Sequence, residues 1–216
     1  MEFSLNPLID GSLVVTEITF KNAAHSDQLW AERLNPLIEH IATTDTLANL
    51  NANPAIQATK AGYKHVGKDP SRYRPASDSL WRRVIKGKGL YQVNNLVDLN
   101  NDLSLRLHFP LGSYDLDQLE PPLSYTVAPA GATYPGIGKA AIDLTNSLVL
   151  ADQTGFFGSP TADSTRAMIT PATTHALVVV YAFGTYDAAK VQSMVKTACL
   201  TYLTDCTVLQ QQVVTA

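Results

Sequence analysis

The longest uninterrupted apolar run in this chain, Ala176-Leu177-Val178-Val179-Val180-Tyr181-Ala182-Phe183, is eight residues long. That is the length of a β-strand, and far short of the ~18 residues a membrane-crossing helix requires. Segments near 123–128 and 147–151 are equally short, β-branched or apolar, and separated by Gly/Pro turns, so they too read as strands. A β-rich second part follows. Apolar residues make up 45% of 216, and the 12 Gly and 12 Pro are ordinary for a globular protein. The length suffices for a core without disulfides or a structural metal, and the chain is read as one domain over 1–216.

The first part has a different period. Residues 12–20 are partly alternating and predict a strand. Ser26 and Asp27 then offer N-caps to a helix carrying Leu29, Trp30, Arg33, Leu34, Leu37, Ile38 and Ile41, which Pro36 should kink or split. Asn53-Pro54 fits the start of a second helix through Ile56, Tyr63 and Val66. A third is expected after Pro75, capped by Ser77 or Asp78 and ended by Gly87 and Gly89. Asp98–Leu107 favours helix, and a last helix is read from Asp187 through Leu203. Residues 1–75 are thus mostly helical and 76–216 form the core, an α+β plan with a C-terminal helix.

Cys199 and Cys206 lie seven apart in what reads as that last helix. At about 10 Å along its axis they are too far apart for a disulfide, so they are expected to be core thiols. Two cysteines do not make a zinc site, and none of His25, His40, His65, His108 and His175 has metal-ligand spacing; no metal and no cofactor are expected. Gly136-Ile137-Gly138-Lys139 lacks the spacing of a phosphate loop and reads as a β-turn. The N-terminal residues show no basic or apolar leader, so the expected location is the cytoplasm.

The net charge of −3 argues against a globally basic nucleic-acid binder and against DNA as a partner. It conceals a block. Between Lys60 and Lys88 lie nine of the 16 basic residues against only Asp69 and Asp78, so this block carries +7 and the remainder −10. Arg72, Arg74, Arg82, Arg83, Lys86 and Lys88 are candidate RNA contacts, with Tyr63, Tyr73, Trp81 and Tyr91 interleaved for base stacking. The same residues would equally serve as a solvated face or as partners for the acidic remainder.

Three runs carry a family resemblance: Leu80-Trp81-Arg82-Arg83-Val84, Asn95-Leu96-Val97-Asp98-Leu99-Asn100-Asn101, and Pro110-Leu111-Gly112-Ser113-Tyr114-Asp115-Leu116-Asp117-Gln118-Leu119. They resemble the B3/B4 domain of the bacterial phenylalanyl-tRNA synthetase β subunit. Arg82 to Asp98 is most similar to free-standing B3/B4 proteins, as are Asn53-Pro54-Ala55-Ile56, Gly67 to Pro75, and Asp163-Ser164-Thr165-Arg166. The resemblance implies a compact β-rich core with packed helices. In the synthetase this domain holds an editing pocket that hydrolyses tyrosine wrongly attached to tRNA-Phe. It therefore implies a tRNA or aminoacyl-tRNA partner here, with hydrolysis of mischarged tRNA in trans or non-catalytic binding of a free amino acid as the two candidate activities. The chain lacks the motifs of an aminoacylating synthetase.

The family's pocket uses a His and a Glu, and this chain departs from both. The His position falls on Gly112, beside Ser113, and the Glu position on Tyr181. Neither replacement titrates near neutrality. Asn100 and Asn101 match the family's Thr-Asn, and Gly155 aligns with its Gly-rich wall. Arg166 would pair a ligand carboxylate bidentately or clip its loop to Asp163. Asp98, Asp115 and Asp117 would bind an α-amino group or brace turns. The expected substrate-binding set is Asn100, Asn101, Gly112, Ser113, Gly155, Arg166 and Tyr181; no catalytic residue is assigned.

Overall fold

The computed structural model describes residues 2–216. Its elements in chain order are β1 (Phe3–Leu5), β2 (Ser12–Lys21), α1 (Asp27–Leu29), a π-helical turn (Trp30–Leu34), α2 (Asn35–Thr44), α3 (Leu47–Ala52), α4 (Pro54–His65), α5 (Ala76–Ile85), α6 (Asn95–Leu107), β3 (Leu111–Asp115), β4 (Leu123–Val127), β5 (Thr133–Pro135), β6 (Ala141–Asp143), β7 (Leu148–Asp152), β8 (Gly155–Gly158), β9 (His175–Ala182), α7 (Ala188–Tyr202) and β10 (Thr204–Val214). Short 3-10 turns follow β3 and precede β9.

The eight-residue apolar run lies on β9, which sits between β2 and β3 in the order β10-β2-β9-β3, all antiparallel. Alternate side chains point to opposite faces, and here both faces are covered. Leu177, Val179 and Tyr181 pack with Leu123, Tyr125 and Phe157 of the second sheet, β1-β4-β7-β8. Ala176, Val178 and Val180 pack with Leu29, Leu99 and Val195 of the helices. The layers are helices, first sheet, second sheet. Because β9 has no solvent face, it has no polar alternation.

Local signals set the helices. Ser26, Asn53, Asn94 and Asp187 accept backbone N–H groups at helix starts. Pro36 splits its helix as expected, but by a widened turn: the Asn35 N–H reaches Trp30 O, one residue beyond the α-helical partner. Two expectations need correction, and one helix is additional to those read from the sequence. Asp78 does not cap α5, which has no side-chain cap; it lies inside that helix, with its carboxylate fully buried among cations. Residues 47–52 form α3, held by a capping box between Thr46 and Asn49. The last helix stops at Tyr202, and the chain returns as β10 along β2. Cys206 is therefore on a strand rather than two turns along from Cys199; both thiols are free.

His175, at the start of β9, bonds Glu17 Oε1 at 3.0 Å and Asp117 Oδ1 at 3.2 Å. Burial pulls its pKa down, but the two carboxylates outweigh this and leave it above the ordinary histidine value. A raised folded pKa stabilises below the unfolded value of about 6.5 and ceases to as pH climbs through the folded value. His175→Gln should therefore cost about 0.5–1 kcal/mol at pH 5.5 and almost nothing at pH 9, read from urea melts at the two pH values. Equal losses at both would show that the ion pairs contribute nothing.

Candidate functional site

A cavity of about 470 Å³ opens at the outer edge of β3, between α5, α6 and the loop 159–169. β3 is the last strand of its sheet. The Tyr181 N–H bonds Pro110 O, and the register pairs Gly112 with Val179. In an antiparallel pair this turns the backbone groups of the alternate residues, Leu111 and Ser113, away from β9 and outward. Both residues line the cavity.

α6 supplies the opposite wall. Its packing on β3 places Asn100 and Asn101 beside Gly112 and Ser113, so four of the expected residues line one hollow. Asn100 is buried and donates through Nδ2 to Ser113 Oγ, while its Oδ1 has no partner. An orphaned buried acceptor costs free energy unless a donor arrives. Asn101 is half-buried beside it. The remaining wall is largely apolar, with Leu80, Val93, Val97, Met168 and Ile169.

The decisive side chain is Asp163. Its Oδ1 accepts from the Tyr114 hydroxyl at 2.8 Å and from the Ser159 N–H at 3.0 Å. Tyr114 has one proton and gives it to Asp163, so Tyr181, 2.5 Å away, donates to Tyr114. The result is a directed chain, Tyr181 to Tyr114 to Asp163. Burial keeps both phenols protonated, well above their usual range. Burial also pushes the Asp163 pKa up to about 6, although two hydrogen bonds to the carboxylate work the other way. Asp163 lines the cavity and retains accessible surface there. The loop cannot readily move it: Ala76 N–H bonds Pro160 O, Ile137 N–H bonds Asp163 O, and the Tyr63 hydroxyl meets Thr161.

Gly112 faces that same phenol. A Cβ built there would lie 2.2 Å from the Tyr114 hydroxyl, and one on Gly158 would lie 2.4 Å from the same ring. Tyr114 is thus clasped between two glycines, and its hydroxyl fills the space a side chain at position 112 would need. Tyr181 lies fully buried behind this wall and does not reach the cavity.

The remaining expected residues sit elsewhere. Arg166 clips its loop to Asp152 rather than Asp163, with Nη1 and Nη2 each 2.9 Å from a carboxylate oxygen, and also bonds Gly155 O. Desolvation opposes the Asp152 charge, but Arg166 and neighbouring donors hold its pKa well below the usual carboxylate range. Gly155 adopts φ +135°, open to glycine, away from the cavity. Asp98 accepts from Trp30 Nε1 and Val93 N–H; Asp115 accepts from Thr173 and Asp117 N–H. These braces occupy carboxylates considered for an α-amino group. The Gly136–Lys139 run is a turn, closed from Lys139 N–H to Gly136 O.

The basic block is partly spent on structure. Asp78 collects Lys60 at 2.7 Å, Arg82, and Arg74 at 3.7 Å. Lys68 is buried against Thr145 O and the Tyr73 ring. Arg83 lies 3.9 Å over the Tyr91 ring and Arg72 5.4 Å from Tyr73, while Lys86 and Lys88 carry no ion pair among the described residues. Among those residues, no cluster of His, Cys, Asp or Glu is placed to hold a metal ion, and no helix is long and apolar enough to cross a membrane.

Against this geometry the B3/4 domain family model matches residues 58–198, which include all of α5, α6, β3 and the Asp163 loop. The chain belongs to the B3/4 domain family. Among solved structures, this B3/4 chain is similar to an N-terminal fragment of the phenylalanyl-tRNA synthetase β subunit from Pyrococcus horikoshii. Identity is 13% and the TM-score 0.45, over 92% of this chain and 48% of that one, so the chain spans about half the length of that fragment. No curated protein matches it. In the sequence Asp163 is visible only as part of the Asp-Ser-Thr-Arg run. Nothing in its spacing announces that the loop brings it back to the edge of β3.

Proposed function

We propose that this B3/4 domain binds the aminoacyl end of a tRNA, acting in the cytoplasm, and holds the esterified amino acid by its α-ammonium group. One observation carries the reading: the cavity wall holds the Asp163 carboxylate and no Lys, Arg or His. An ammonium finds a carboxylate there. A free amino acid would also bring its own carboxylate beside Asp163 with no cation to receive it, which is costly in a half-enclosed site. An ester removes that charge. Its carbonyl is neutral and suits the Asn101 amide and the outward N–H groups of β3, the type of donors that polarise a carbonyl. The volume accommodates one amino-acid side chain against Leu80, Val97 and Met168. This favours the aminoacyl-RNA reading over the free-metabolite reading.

Hydrolysis in trans is the further step. The positions of the family's His and Glu hold Gly112 and the buried Tyr181, so this chain's own groups for turnover reduce to Asp163 and the β3 edge. The experiment has two parts. Ethyl esters of leucine, methionine and phenylalanine should raise the melting temperature saturably, while the corresponding free acids should not. A panel of correctly and wrongly charged tRNAs, followed by release of the amino acid, then reads turnover. Equal stabilisation by esters and acids, or a flat profile for both, would sink the proposal.

A further inference from the structure

α5 separates the aminoacyl cavity from a second recess. Ala76, Ser79 and Leu80 face the first; Arg74, Asp78 and Arg82, at four-residue spacing, face the second. Lys60 and Lys64 project into it from α4 with the same spacing, and Asn51 from α3 completes it. The recess measures about 240 Å³.

Its charge is unbalanced. Four cations line it against one carboxylate, and the Asp78 side chain, wholly shut off from solvent, sits at its base. Asp78 accounts for the placing of Lys60, Arg82 and Arg74. It does not account for Lys64, which is exposed and lacks an ion pair among the described residues, nor for three positive charges in excess. Arg82 is held from two sides, by Asp78 and by Asn51 Oδ1 at 2.6 Å. Arg74 is tied to Ser71 O. Guanidiniums fixed in this way, with ammonium groups beside them, form a preorganised receptor for a tetrahedral oxyanion. The volume suits one phosphate group.

We infer that this recess is a phosphate-binding site, occupied by a backbone phosphate of the RNA whose aminoacyl end enters the cavity on the other side of α5. The two hollows lie about one helix diameter apart, ~10 Å, a span a few nucleotides of single strand cross easily. The identity of the occupant rests on the proposed function; the anion chemistry does not.

The test uses the full chain in two arms. In the first, inorganic phosphate is titrated at constant ionic strength against chloride while the melting temperature is followed. Phosphate should raise it saturably, and Lys64→Gln combined with Arg74→Gln should weaken phosphate binding roughly tenfold or more. Lys64→Gln alone breaks no ion pair found in the structure, so it should weaken binding without lowering the ligand-free melting temperature. No phosphate-specific rise, or the same rise in the variants, overturns the site. In the second arm, uncharged tRNA is bound across a salt series. The slope of log K against log salt should fall by about 0.7 in the double variant, the amount expected when one fewer phosphate of a single strand is neutralised. An unchanged slope overturns the polynucleotide as occupant. If the wild-type chain binds no tRNA, the occupant falls together with the proposed function, and the phosphate arm still decides the site.

Discussion

Asp163→Asn should make this protein more stable at neutral pH and unable to hold an aminoacyl ester. The amide keeps Oδ1 for the Tyr114 hydroxyl and the Ser159 N–H, so both structural hydrogen bonds persist. The buried charge goes. With the folded pKa pushed up to about 6 from an ordinary carboxylate value of 3.8, the unfolded chain releases the proton more readily than the folded one. Ionisation therefore weakens the fold. The penalty grows as pH rises through 3.8, is complete above about 6, and is on the order of 2 kcal/mol. Urea melts should show Asp163→Asn more stable than wild type by that order at pH 7.5, with the gap narrowing steadily towards pH 4. The same variant should lose the melting-temperature rise produced by amino-acid ethyl esters, because the ammonium then meets no charge. A costly group retained at a cavity wall is the pattern expected where stability is traded for binding. A variant less stable than wild type at pH 7.5, or one that still responds to esters, would show that Asp163 is only a brace for its loop.

Gly112 carries the second large effect. Placing alanine there drives a methyl group to 2.2 Å from the Tyr114 hydroxyl, and Gly158 blocks the ring from the other side. The phenol cannot swing away without breaking its bonds to Asp163 and Tyr181. Overpacking of this kind costs about 3 kcal/mol, and histidine, the residue the resemblance places at this position, should cost more. Gly112→His is thus expected to unfold the domain rather than restore an editing residue. Equilibrium denaturation of Gly112→Ala is the direct measurement; a loss under about 0.5 kcal/mol would mean that Tyr114 has somewhere else to go.

The resemblance and the structure meet at Asn100, Asn101, Gly112 and Ser113, which the packing of α6 on β3 brings into one hollow. They part at Tyr181 and Arg166. Tyr181 follows from strand alternation: its face of β9 is the one turned to the second sheet. Arg166 reads in sequence as a bidentate partner for a ligand carboxylate or as a clip to Asp163, three residues away, but its fork meets Asp152 across a loop. Charge arithmetic finds the basic block yet cannot say which cations Asp78 gathers, since Lys60 arrives from a different helix. β10 escapes a sequence reading because it is an edge strand rich in glutamine, Gln210-Gln211-Gln212, whose pairing with β2 shifts register twice. Its half-exposed pattern has no clean period to read.

What the sequence determined by itself is what short-range physics controls. An apolar run of strand length with no polar alternation had to be a buried strand, and helix starts lay where Ser26, Asn53 and Asp187 could accept backbone N–H groups. The tertiary structure alone decided which carboxylate faces the cavity. Asp78, Asp98, Asp102, Asp115, Asp152 and Asp163 are six acids of one chemical type. Five of them are closed in by partners from other elements; the sixth, though it also accepts from Tyr114 and Ser159, keeps surface at the hollow's wall because a pinned loop returns it to the unpaired edge of β3. Partners separated by tens of residues leave no trace in local pattern, so only the fold could tell a brace from a binding group.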